Sequence, residues 1–203
     1  GRRGRRPRTC EAVLAATAEL LQATPLSELS VAQILSAAGV GRTSFYEHFS
    51  SKADVVVRLM RRISIEVGEE MRPLLGPRRG SPEEAIREAL GNVIKTASGH
   101  ARLLVAVAEE WPAVPELRAI WFEVHGEATS RLARMIERDR DAGVAPPGAD
   151  SDALAASLVW TVERSFHVAM TGAHPALVDA ESLVDPLVQL FVGTIYGRPV
   201  AVP

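Results

Sequence analysis

One stretch narrows what this chain can fold into more than any other: residues 30–52, SVAQILSAAGVGRTSFYEHFSSK. Ser30 suits a helix N-cap, because its hydroxyl can accept from an orphan backbone N–H of the first turn. Val31, Ile34, Leu35 and Ala38 follow at helical spacing. Gly39 suits the left-handed residue that ends a helix, and Val40 plugs the turn. A second helix starts at Gly41–Arg42. Phe45 and Phe49, four apart, share one face and pack inward. Arg42, Thr43, Ser44, Tyr46, Glu47 and His48 are then left largely outward. So short a helix does not hold itself together in water; it must lie on a scaffold. Backed by two Phe and showing Arg, Thr, Ser, Tyr and His, it fits a recognition helix in a DNA major groove. The plain alternative is an ordinary helical hairpin.

The flanks favour the first reading. Val13, Ala16, Thr17, Leu20 and Leu21 form a helical stripe ahead of the motif. Behind it, Ser51 opens S-x-x-D, a start resembling a capping box with Asp54 in place of Glu or Gln. Val56, Met60, Ile63, Val67 and Met71 then line one face of a long helix. Residues 1–62 carry ten Lys/Arg against five acids, net +5; the remainder carries 13 against 20, net −7. A basic N-terminal module on an acidic body is the footprint of a DNA reader with a separate second domain.

The run from Gly39 to Lys52, G-V-x-R-x-x-F-Y-x-H-F-x-x-K, together with its flanks over about residues 9–60, resembles the DNA-binding domain of the tetracycline-repressor (TetR) family of bacterial regulators. More loosely, VERSF at 162–166 and FVGTIYG at 191–197 resemble the C-terminal domain of EthR-like members. The resemblance implies a ligand-responsive transcriptional regulator, most simply a repressor. It would bind a pseudo-palindromic operator on double-stranded DNA as a homodimer, and a small, largely apolar effector would release it.

The expected fold is all-α, about nine helices. Residues 1–8 form a disordered basic arm that either follows phosphates or enters a minor groove, or is merely solvated, 9–52 a three-helix helix-turn-helix domain, and 53–203 a helical ligand-binding and dimerisation domain. No stretch alternates like a strand. After the helix at 52–72, which stops near Pro73 and Pro77, come a loop at 76–82 and a helix capped by Ser81 with Pro82 and Glu84 behind it. Further helices follow at 101–111, to about 141, from Asp150 or Ser151 to about 170, and at 178–196, kinked or restarted at Asp185–Pro186. The last two are apolar nearly all round, which points to burial on two sides and hence a two-fold interface between copies.

No apolar run spans a bilayer and no signal-peptide layout is present. Cys10, the single cysteine, excludes an internal disulfide and fits the cytoplasm. No nucleophile elbow, Walker loop, dinucleotide fingerprint or H-E-x-x-H is present, so no enzyme, metal or cofactor is expected. The rival class is a helical adaptor that binds protein only; an activator on the same fold is the other alternative.

For DNA, the candidates are Ser30, Arg42, Thr43, Ser44, Tyr46, His48 and Lys52. Arg42 can grip guanine bidentately or a phosphate; Thr43 and Ser44 can reach bases or phosphate; Tyr46, His48 and Lys52 are placed for phosphate. The resemblance implies an elongated apolar pocket in the C-terminal domain, with Trp111, Trp121, Phe122, Val124, Phe166 and Phe191 as candidate liners. The amides often found in the subgroup before the E-R pair are replaced here by Val159, Trp160, Thr161 and Val162, leaving Thr161 as the nearest polar substitute. Glu163 and Arg164, inside an apolar run, read first as an interface salt-bridge pair, with ligand contact the alternative.

Overall fold

The computed structural model describes residues 2–76 and 80–197, with side chains from Arg8 onward. Among them are ten α-helices, a 3-10 turn and no strand: α1 Arg2–Leu20, α2 Val31–Ala38, α3 Arg42–Tyr46, α4 Lys52–Glu70, α5 Arg72–Leu75, α6 Pro82–Gly99, α7 Ala101–Glu110, α8 Pro115–Asp141, α9 Ser151–Thr171, the turn Glu181–Leu183, and α10 Val184–Tyr196. The all-helical expectation is met, with three differences in detail.

Segment 1–8, expected as a disordered arm, is continuous with α1 from Arg2 onward; arginine is a good helix former, and Pro7 removes only one backbone donor. The helix expected over 52–72 breaks after Glu70, and Pro73 sits near the start of the additional short helix α5 rather than ending α4. The last helix starts at Val184, not 178, because Asp185 and Pro186 occupy its first turn, where a missing N–H does no harm. Residues 77–79 of the loop expected at 76–82 lie outside the described residues.

Caps define the starts. Ser30 and Gln33 form a full capping box on α2: Gln33 N donates to Ser30 Oγ (3.3 Å) and Ser30 N to Gln33 Oε1 (2.8 Å). Ser81 and Glu84 do the same on α6. Asp150, not Ser151, caps α9 through Ala153 N (2.9 Å). At α4, Ser51 Oγ accepts from Asp54 N (3.2 Å), while the Asp54 carboxylate reaches back to Ser50 N (3.0 Å).

The chain divides into two compact units, and the division falls inside α4 and inside α8. One unit comprises residues up to Ile63 together with Arg102–Phe122; the other comprises Ser64–Ala101 with the chain from Glu123 onward. The boundary expected at residue 52 therefore differs: the first half of α4, most of α7 and the start of α8 group with the N-terminal helices. In the first unit, α1 packs on α2 and α3, burying Val13, Leu21, Ile34, Phe45, Phe49 and Val56. In the second, α10 and α5 pack on α6. There Arg138 of α8 donates to the carbonyls of Leu74 (3.1 Å) and Leu75 (3.3 Å), and to Asp139 Oδ1. Buried Asp139 accepts from Tyr196 Oη at 2.6 Å, so a polar chain joins the end of α5 to the end of α10.

Candidate nucleic-acid interface and effector domain

The reading helix α3 is built as its sequence demands. Gly39 ends α2 in the left-handed region, φ 63°, where a side chain would be strained. Val40 N then donates to Leu35 O (3.1 Å) and turns the chain. Phe45 and Phe49 are wholly buried, ring centroids 5.4 Å apart. Arg42, Thr43, Tyr46 and Glu47 are exposed and Ser44 and His48 half-buried. The Arg42 guanidinium lies 5.9 Å above the Tyr46 ring, and that ring meets Phe45 edge-on at 5.2 Å. One arginine and one phenol are thus presented together, anchored to the core beneath.

Two predicted DNA contacts also have structural work. Lys52 turns inward, its Nζ donating to Leu26 O at 2.6 Å; its ammonium pins the turn after α1. Ser30 spends its hydroxyl in the capping box, although its exposed position remains at the start of α2.

Arg58 on α4 was not singled out in the sequence. Its guanidinium stacks on Phe49, 4.5 Å from the ring centroid, donates to the His48 carbonyl beyond α3, and meets Asp54 Oδ1 at 3.5 Å. The charge-assisted bond to the His48 carbonyl fixes the chain as it leaves α3. Arg58→Met, which keeps the stack and deletes the charge, is expected to weaken operator binding by about tenfold, given about 1–2 kcal/mol for a charged hydrogen bond. Anisotropy and thermal melting check this; unchanged binding would remove Arg58 from the support of α3.

The candidate effector residues divide between the units. Trp111, Trp121 and Phe122 gather in the first: the indoles are near-parallel with centroids 6.2 Å apart, and Phe122 meets Trp111 edge-on at 5.4 Å. Trp121 is buried, whereas Phe122 is half exposed. In the second unit Phe166 and Phe191 are buried and Val124 half-buried. Thr161 donates its hydroxyl proton to Ser157 O at 2.7 Å, so it offers a ligand acceptance only. His125 stacks on Trp160, centroids 4.9 Å apart and planes 16° from parallel. Among the described residues, no three His, Cys, Asp or Glu side chains are grouped to hold a metal, and no helix is long and apolar enough to cross a membrane.

Glu163 and Arg164 form the expected ion pair, but a loose one without a hydrogen bond. Adjacent residues on a helix point about a quarter-turn or more apart, and here Glu163 faces in while Arg164 faces out, 3.7 Å apart at the nearest. Burial raises the Glu163 carboxyl above its ordinary value, and Arg164 lowers it by less. A carboxyl raised in the folded state favours folding below its unfolded value, about 4.3, and that contribution is lost as pH climbs through the folded value. Glu163→Gln is therefore expected to melt above the parent by a margin that widens from about pH 4.3 upward. Parallel melting-temperature profiles in the two proteins would refute this.

The fold and the surface of α3 together define a helix-turn-helix DNA-binding protein with a helical C-terminal body. The model of bacterial regulatory proteins of the tetR family matches residues 13–59, and that of the C-terminal domain of transcriptional regulator EthR matches residues 86–197. The chain belongs to the TetR family of transcriptional regulators, and is therefore not an enzyme. It is 28% identical over 202 residues to the HTH-type transcriptional regulator EthR of Mycobacterium tuberculosis, covering 98% of this chain and 93% of that one. The Mycolicibacterium smegmatis EthR is 27% identical over 200 residues, covering 97% and 92%. The fold matches that of SmeT, repressor of the Stenotrophomonas maltophilia multidrug efflux pump SmeDEF (TM-score 0.70, 22% identity, 98% and 95% covered). It also matches that of the fatty acid degradation regulator FadR of Bacillus halodurans (TM-score 0.74, 20% identity, 95% and 97% covered).

Proposed function

We infer that this regulator is a ligand-responsive repressor that binds a pseudo-palindromic operator as a homodimer in the cytoplasm. The observation that carries this is α3: Arg42, Thr43 and Tyr46 exposed on a short helix whose other face is clamped by Phe45 and Phe49. Two such helices, one per chain, would enter successive major grooves about 34–36 Å apart. Arg42 is the base reader, Thr43 and Ser44 its neighbours in the groove, and Tyr46 and His48 the phosphate contacts, with the basic segment 1–8 adding salt-dependent attraction.

The dimer rests on α9 and α10. Leu154, Val159 and Val162 of α9 and Val184 of α10 are only half-buried in the single chain, and Leu190 is 41% exposed. An isologous contact through these helices would cover them. A largely apolar effector lodges in the C-terminal domain, and it can release DNA only by binding a splayed state better than the DNA-competent one. The role of SmeT as the repressor of an efflux pump supports repression as the sign of control; a promoter-reporter assay in which this chain raised transcription would favour the activator reading.

The direct test is fluorescence anisotropy with DNA from upstream of the chain's own gene, against random DNA, at several salt concentrations. The expected result is selective binding with two chains per site. Binding no better than to random DNA would be followed by random-site selection; no enriched sequence there would leave the adaptor reading.

A further inference from the structure

Glu163 sits in the middle of α9 with its side chain only 8% exposed. Neither carboxyl oxygen has a hydrogen-bond partner, and solvent reaches neither. Arg164, the nearest cation, is 3.7 Å from Oε2, beyond hydrogen-bond reach, with its own side chain 57% exposed. Three residues earlier on α9 stands Trp160, stacked on His125; four residues later stands half-buried His167. Offsets of three and four place Trp160, Glu163 and His167 on one stripe.

A buried carboxyl without a hydrogen bond is costly. A core that required only volume would carry Leu or Met there and be more stable for it. Polar groups left unsatisfied inside a fold concentrate where something other than the fold itself supplies their partner. A second copy of the chain cannot be that partner, because the carboxyl is buried within a single chain rather than on the exposed faces of α9 or α10.

We propose that Glu163 is the polar anchor of the effector site, and that the effector carries a protonated amine on an apolar body. This rests on, and sharpens, the apolar-effector reading above. An ammonium gives the carboxylate the charge-assisted hydrogen bonds it lacks, and its charge is attracted to the face of an indole such as Trp160. An alcohol offers one weaker donor, and a fatty acid brings like charge. Because no solvent reaches the oxygens in the state described here, the donor enters only as the side chains around Glu163 shift. A cationic ligand therefore favours the shifted state over the present one, and it releases DNA where that shifted state is also the one that holds the reading helices apart.

The test titrates the full chain with n-decylamine, decanol and decanoate, each below its micelle concentration, following tryptophan fluorescence and thermal shift. The same amphiphiles are then added to the operator complex. Decylamine is expected to bind the parent at least about tenfold tighter than decanol, as a charged hydrogen bond implies, to release DNA at correspondingly lower concentration, and decanoate to bind weakest. In Glu163→Gln the preference should fall to within about threefold. The comparison among ligands on the parent needs no variant, so a variant that fails to fold leaves it intact. Equal binding of amine and alcohol by the parent, or a preference that survives in Glu163→Gln, would overturn the anchor while the apolar-effector reading stands. Failure of all three to bind would overturn both.

Discussion

Replacing Arg42 and Tyr46 together by alanine is expected to lower operator affinity by about a hundredfold or more while leaving the melting temperature where it was. Arg42 is exposed, Tyr46 is 48% exposed, and they meet in a cation–π approach, with Tyr46 against the edge of Phe45. Substitutions at such surface positions ordinarily change stability by about 0.5 kcal/mol or less. An arginine that reads a base contributes about 1–3 kcal/mol of affinity, and an isologous dimer loses it twice, about 2–6 kcal/mol per operator. The two side chains also separate by readout. Loss of a base contact reduces selectivity between operator and random DNA, whereas loss of a phosphate contact weakens both and lowers the salt slope by about one per contact. Arg42→Ala alone should show the first pattern and Tyr46→Ala alone the second. Selective binding retained by the double variant, with an unchanged melting temperature, would place the reading surface elsewhere.

What could be read without coordinates, and what could not, follows from the range of each interaction. The turn at Gly39, the inward pair Phe45 and Phe49 and the cap at Ser81 are local, each fixed by residues within about four positions, and each stands as expected. The box at Ser30 was legible too, since Gln33 is a permitted third residue, but only the cap itself was assigned. Lys52 and Arg58 are different. Lys52 reaches a carbonyl 26 positions away, and Arg58 crosses from α4 to the turn after α3; only tertiary packing brings those partners within reach. The sequence offered Lys52 as a phosphate contact, and could not show that its ammonium also fastens the turn after α1. Glu163 marks a third limit. Periodicity showed a charged pair in an apolar run, yet not which member turned in. The two-unit division was likewise invisible, because α7 and the start of α8 join the N-terminal helices from 40 positions and more along the chain.

The second large effect lies immediately behind the reading surface. Phe45→Ala is expected to weaken operator binding at least as much as the double variant does, but by melting the helix rather than stripping it. Phe45 is wholly buried, 5.4 Å from the ring of the equally buried Phe49, and removing a buried Phe costs about 3–5 kcal/mol. That is a large share of the roughly 5–15 kcal/mol that holds an ordinary domain together. The five residues of α3 have no means of absorbing the loss, because so short a helix takes its stability from packing. The damage should be local. Hydrogen exchange should accelerate across residues 8–63 while the amides of α9 and α10 keep their protection, since regions of a fold open independently in proportion to their own contacts. Phe45→Leu, which refills most of the volume, should recover much of both binding and protection. In the Arg42/Tyr46 double variant exchange should stay at parent levels throughout, so the two losses of binding are told apart by one measurement. Parent-level exchange across residues 8–63 in Phe45→Ala, with DNA still bound, would mean that α3 is held by something other than its phenylalanine face, and the assignment of its outward residues to DNA would fall with it.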